Sequence, residues 1–201
     1  MKHRPFIILA LCLTVLLTCL GALACDDKSS AAQYSINPDI TGYQQFSIDI
    51  GSVGLETRVH GSVFTIGSRY RPADLRLRIV AWVEIDPDDW AGVELLVPQG
   101  WEVSQVVSDY PQGKLDPDEY VAVWQTGDTD GEWHMFIDIG YSKYLTNLAG
   151  GGQGSVSIEL KPISTGQELP DSIDILIGAG SQGDTAQHPC YQRITVALPG
   201  E

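Results

Sequence analysis

Leu75-Arg76-Leu77-Arg78-Ile79-Val80-Ala81-Trp82-Val83-Glu84-Ile85 is the stretch that decides the fold. Period two places Leu75, Leu77, Ile79, Ala81, Val83 and Ile85 on one side and Arg76, Arg78, Val80, Trp82 and Glu84 on the other. That is the pattern of a strand with one buried face, because successive side chains of extended backbone point to opposite sides. A helix would spread the same apolar residues around its circumference.

The pattern repeats outward in both directions. Upstream, Phe46, Ile48 and Ile50 alternate with Ser47 and Asp49, and Val53 to His60 with Ser62 to Ile66 reads as a hairpin about Gly61. Downstream, strands are expected at Val93 to Val97, Trp101 to Val107, Tyr120 to Gln125, Glu132 to Ile139, Ser155 to Leu160, Ile173 to Ile177 and Arg193 to Leu198. Turn signals separate them: Asp86-Pro87-Asp88-Asp89, Pro98-Gln99-Gly100, Pro111-Gln112-Gly113, Gly127-Asp128-Thr129-Asp130-Gly131 and Gly150-Gly151-Gly152. Helical periodicity is lacking beyond a turn at Ser142 to Leu148. Roughly nine to eleven short strands over residues 44–201 predict an all-β chain folded as a single antiparallel β-sandwich.

The other end of the chain is different in kind. Lys2, His3 and Arg4 precede an apolar run from Phe6 to Leu20, and the small residues Gly21, Ala22 and Ala24 lead to Cys25, the order of a signal peptide over residues 1–24. Phe6 to Ala24 only just reaches the roughly 20 residues that span a membrane, and it carries Thr14 and Thr18, so an uncleaved anchor is the lesser alternative. Ala22-Leu23-Ala24 also satisfies ordinary signal peptidase, which leaves simple secretion open. Asp26 to Gln33 is polar and small, no periodic apolar signal follows until Phe46, and residues 25–43 read as a flexible tether spanning up to about 60 Å when extended. Cys12 and Cys19 leave with the leader, so the mature chain keeps Cys25 and Cys190, the latter read as a small, partly buried side chain.

The chain carries a formal charge of −14. Removing the leader takes two of 12 basic residues and none of the 26 acidic ones, leaving −16. Such a surface repels phosphate backbones, so nucleic acid is not an expected partner. The acidity also serves solubility.

Three groups of residues are candidates for chemistry. Asp128, Asp130 and Glu132 offer alternating oxygen ligands for calcium, although the segment lacks the length of an EF-hand loop and is more simply a hairpin turn; no other cofactor is expected. The acidic turns Asp86/Asp88/Asp89 and Asp116/Asp118/Glu119 have prolines enough to explain them. Trp82, Tyr120, Trp124 and Phe136 would make an exposed aromatic patch if they fell on one outer sheet, with the core as the competing destination. In the same strand as Phe136, alternation sends Trp133, Met135, Ile137 and Ile139 one way and His134, Phe136 and Asp138 the other. No nucleophile elbow, His-Glu-x-x-His, Cys-x-x-Cys or phosphate loop is present. Gly150-Gly151-Gly152-Gln153-Gly154 precedes a strand and reads as hairpin material, and His60, His134 and His188 are scattered. An enzyme is therefore not the expectation.

Ala24-Cys25 after the leader resembles the end of a bacterial lipobox. Membership of the lipoprotein family implies a diacylglyceryl group on the Cys25 sulfur, cleavage before it, and an acyl chain such as palmitate on the new amino group. The protein would then hold to the cell membrane by this lipid, on the extracytoplasmic face. Gly92-Val93-Glu94-Leu95-Leu96-Val97-Pro98-Gln99-Gly100-Trp101-Glu102-Val103, followed by Val121-Ala122-Val123-Trp124 and Met135-Phe136-Ile137, is similar in strand rhythm to exported cohesin-like and immunoglobulin-like sandwich domains. That resemblance implies non-catalytic recognition of a protein or glycan in the cell envelope. The alternatives are an accessory subunit of an envelope or transport assembly and, third, a hydrolase.

Overall fold

The computed structural model describes residues 40–52, 55–88, 92–113, 117–128, 130–140, 151–163, 168–180, 182–183, 186–187 and 190–200. The expected leader and Cys25, the expected tether up to residue 39, the stretch 142–148, Asp89, Asp116, Thr129, Gly150 and His188 lie outside the described residues.

The strands in chain order are β1 (Ile40–Ser52), β2 (Leu55–Ile66), β3 (Arg76–Ile85), β4 (Gly92–Pro98), β5 (Trp101–Ser108), β6 (Val121–Gln125), β7 (Trp133–Ile139), β8 (Gly152–Pro162), β9 (Ser172–Gly180), β10 (Gln182–Gly183), β11 (Ala186–Gln187) and β12 (Cys190–Ala197). A 3-10 turn, Pro117–Tyr120, leads into β6. The first sheet has the order β1-β2-β3-β8-β5 and the second β12-β9-β4-β7-β6, with β10 and β11 forming a small ribbon of their own. Every pairing is antiparallel. The two large sheets close on one core, so the chain is the all-β antiparallel sandwich that its alternation predicts.

β3 lies in the middle of the first sheet. Its Leu77, Ile79, Ala81, Val83 and Ile85 are buried in the same core cluster as Val93, Leu95 and Val97 of β4 and Ile137 and Ile139 of β7. Each of the larger side chains contributes about 1.5–3 kcal/mol by leaving water. Arg76, Arg78, Val80, Trp82 and Glu84 stand on the opposite face. Along one side the sheets are joined at their edges: the Ser47 amide donates to Gln192 Oε1 at 3.3 Å and Thr65 Oγ1 donates to the Ala197 carbonyl at 3.0 Å.

Several local expectations are corrected. Gly61 is no turn but sits mid-strand in β2, opposite Phe46 on β1 and Ala81 on β3. A Cβ there would come within 2.7 Å of the Phe46 ring and 2.2 Å of the Val80 carbonyl, so glycine leaves room for an aromatic ring laid on the sheet. The strand expected from Gln44 starts at Ile40, so residues 40–43, assigned to the tether, are part of β1; a register shift between Ile40 and Gly42 hides their alternation. Gly152 and Gly154 are not hairpin material. They belong to β8, which pairs with β3 and β5, and Gly154 admits the backbone of Tyr110, whose Cα would lie 2.6 Å from a Cβ. Cys190 is an exposed thiol where β12 begins, not a partly buried one.

Two bulges change which way side chains point. A shift between Val103 and Gln105 turns both Val103 and Val106 inward and sends Val107 out to solvent. A second, at His134 opposite Val97 and Pro98, pairs Trp133 with Pro98 instead of continuing the inward row of Met135, Ile137 and Ile139. Trp133 therefore shares the outer face of the second sheet.

Candidate functional site

The outer face of the second sheet is built by three strands whose alternation buries every second residue. Leu95, Ile137 and Ile177 point into the core, which leaves their neighbours Glu94 and Leu96, Phe136 and Asp138, and Leu176 and Gly178 facing out. Register then sets two rows across the sheet. One runs Ala122, Asp138, Glu94, Gly178, Tyr191; the next runs Trp124, Phe136, Leu96, Leu176, Arg193.

The second row is apolar over most of its length. Leu96 is only 7% exposed although it stands apart from the core between the sheets, because Phe136 and Leu176 flank it. Trp124 and Tyr191 remain 52% and 49% exposed. Rings of this size held half bare on the outer face of a sheet are more than a core needs.

The first row carries two carboxylates directly opposite one another, Glu94 and Asp138. Burial pushes both above the usual carboxylate range; Asp138 adds to the rise at Glu94, and the Tyr191 hydroxyl partly offsets it. At Asp138 the offset comes from the Trp124 indole N–H. The Tyr191 hydroxyl donates to Glu94 Oε2 at 3.4 Å, and its ring covers Gly178, where a Cβ would stand 2.4 Å from Tyr191 Cε1. Burial and the Glu94 charge together raise the Tyr191 phenol. The order across the sheet is thus ring, acid, acid, ring: Trp124, Asp138, Glu94, Tyr191. Among the described residues no lysine or arginine pairs with either acid.

At the other end of the same face a cation is already in place. The Arg193 guanidinium lies 5.2 Å over the Trp133 ring, 2.6 Å from Glu132 Oε1 and 3.2 Å from Asp174 Oδ2. The acids raise the guanidinium further, Glu132 most.

The four aromatic candidates do not form one patch. Trp124 and Phe136 are a cross-strand pair on the second sheet. Trp82 stands on the outer face of the first, between His60 and Ser155. Tyr120 ends the 3-10 turn and is 8% exposed, within the core cluster. Nor do the calcium candidates gather. Asp128 Oδ1 accepts the Asp130 amide at 2.9 Å, closing its own turn, and Glu132 is engaged by Arg193. Among the described residues no three His, Cys, Asp or Glu side chains are placed to hold a metal. Glu94, Asp138, Trp133 and Tyr191 were not singled out from the sequence, although two of them carried a signal. Glu94 and Asp138 are the lone acids of β4 and β7, each flanked by apolar residues.

No family model matches the chain, and no curated protein matches it in sequence. Solved structures give distant likenesses. The collagen binding subdomain of the Enterococcus faecalis surface protein ACE is 10% identical, over 60% of this chain and 84% of that one, with a TM-score of 0.32. The C-terminal domain of the Streptococcus agalactiae AgI/II polypeptide BspA is 9% identical over 72% and 59%, with a TM-score of 0.36. The GAE domain of GGA2p from Saccharomyces cerevisiae is 9% identical over 77% and 100%, with a TM-score of 0.33. Likeness at this level carries over neither a ligand nor a binding residue.

Proposed function

We propose that the protein is a lipid-anchored binding module of the cell envelope, held by Cys25 on the extracytoplasmic face and presenting the outer face of its second sheet to a partner. One observation carries the binding role: Trp124 and Tyr191 stand half bare around an apolar row and two carboxylates, on a sheet whose other side already supplies the core. Recognition is favoured over turnover because Trp124 and Tyr191 stand about half exposed on the outer face of a sheet, where the surface of a partner can reach them. The anchor is supported by the leader and by Cys25 at its end.

Two measurements test the two halves. Cys25→Ser is expected to move the protein from the membrane fraction to the soluble fraction; retention at the membrane with the leader still attached overturns the anchor. Trp124→Ala is expected to weaken partner capture about tenfold, as loss of a central aromatic anchor does. Co-purification as a stable membrane complex that Trp124→Ala leaves intact would make the protein an accessory subunit instead.

A further inference from the structure

The face has a chemistry that goes further than "aromatic". Like charges directly opposite each other on neighbouring strands are destabilising, and here they are set among apolar side chains that limit their access to water. Neutral donors from Trp124 and Tyr191 orient the two carboxylates without neutralising them. Two carboxylates fall well short of the six to eight oxygens that calcium takes. A sugar hydroxyl would add another neutral donor and leave the charge in place. A cation would relieve it.

The same sheet shows what that arrangement looks like when filled. Arg193 bridges Glu132 and Asp174 while lying over Trp133, so two acids and a ring hold one guanidinium. Glu94 and Asp138, between Trp124 and Tyr191, repeat that set without the cation. The charge balance agrees: the five strands of this sheet carry Glu94, Asp138 and Asp174 against Arg193 alone, and Arg193 is turned to the far end.

We propose that this face captures a lysine or arginine side chain of a partner protein, seated between the rings of Trp124 and Tyr191 and paired with Glu94 and Asp138, while the apolar row through Leu96 takes the neighbouring side chains of the same segment. The charge supplies orientation and choice of partner, and the rings supply contact area. This inference rests on the binding-module function proposed above and names the chemistry of its partner.

The test titrates the purified full-length protein with an alternating lysine–threonine octapeptide, its arginine and glutamate counterparts, and a chitin hexasaccharide. The basic peptides are expected to bind, and E94Q/D138N to weaken them about tenfold or more, the scale for removing a close charge partner. The charge-matched control E84Q/E102Q, on the other sheet, is expected to change them less than about twofold. Equal losses in the two double variants would show general attraction to an acidic protein and overturn the proposal, as would basic peptides binding no better than the acidic one. If the hexasaccharide alone binds, and Trp124→Ala abolishes it, the binding face stands and its cationic partner falls. If Trp124→Ala alters capture of none of the probes, both fall.

Discussion

The two outer faces of the sandwich are made by the same alternation and yet solve opposite problems. On the first sheet every strand carboxylate has a cation: Glu159 with Arg78 at 2.7 Å and Arg76 at 3.7 Å, Glu102 with Lys161 at 3.1 Å, and Asp49, Glu56 and Glu84 with Arg58. Serines fill the spaces between; Ser104 donates to Glu159, and Ser155 donates to Asp109 through both its amide and its hydroxyl. The strand charges of that sheet are matched within it, although Tyr43 and Val107 stand exposed on its edge strands. On the second face two acids have no cation among the described residues, and two large rings are half bare. A surface whose charges are internally matched gains little from a partner, whereas one that holds unmatched charge beside apolar area gains from any partner that supplies the match.

The largest expected effects show that the difference is confined to the outside. Ile79→Ala on the first sheet and Ile137→Ala on the second should each cost about 2–5 kcal/mol, as buried deletions do, whereas Val80→Ala between the charged rows should change stability by roughly 0.5 kcal/mol or less. Urea unfolding of the three variants checks this. An inner-face deletion on one sheet that costs no more than Val80→Ala would show that the sheets do not share one core. Smaller effects separate two glycines, each lying under a ring. Gly61→Ala meets the Val80 backbone as well as Phe46 and should cost about 1–3 kcal/mol. Gly178→Ala meets only the half-exposed Tyr191, which can swing away, so it should cost less while freeing the hydroxyl from Glu94. A tyrosine fluorescence change in Gly178→Ala without much loss of stability is the expected signature.

Much of this architecture is legible in the sequence because parity is local. Leu75 through Ile85 announces its buried row without help from any other segment, and the same holds for β4, β8 and β9. What parity does not carry is pairing. Trp82 and Trp124 both stand opposite an apolar row, and only the long-range order β1-β2-β3-β8-β5 against β12-β9-β4-β7-β6 puts them on opposite sides of the molecule. Bulges are illegible for a related reason: one extra residue at His134 reverses the side to which Trp133 belongs, and nothing in Glu132-Trp133-His134-Met135 marks the insertion. Cover by a distant ring is hidden too, which is why Gly61 reads as a turn and Gly178 as nothing. Glu94 and Asp138 are the instructive pair. Each stands as a single charge in an apolar run, and a charge held in a strand that could have been apolar throughout points to function more directly than an aromatic does.

The finest distinction between the faces is their response to acid. Glu159 and Asp109, on the first sheet's side, are held below the ordinary carboxylate range, Glu159 chiefly by the hydrogen bond from Arg78 and Asp109 by the Ser155 amide. Their stabilisation is fully present above the unfolded values near 4 and is lost as pH falls through the lowered folded values. Glu94 and Asp138 behave in the opposite sense, because burial raises both. Their cost is present above the raised folded values and fades as pH falls through them toward about 4. Glu94→Gln should therefore stabilise the protein at pH 7, by roughly 0.2–1 kcal/mol on the scale for like charges opposed across strands, with the gain shrinking toward pH 4. Glu84→Gln, which takes a partner from Arg58, should give no such gain. Thermal unfolding of both variants at pH 7 and pH 4 separates the two cases. A Glu94→Gln protein less stable than the parent at pH 7 would mean that this acid is kept for the fold, and the tension that a cationic partner is expected to relieve would not exist.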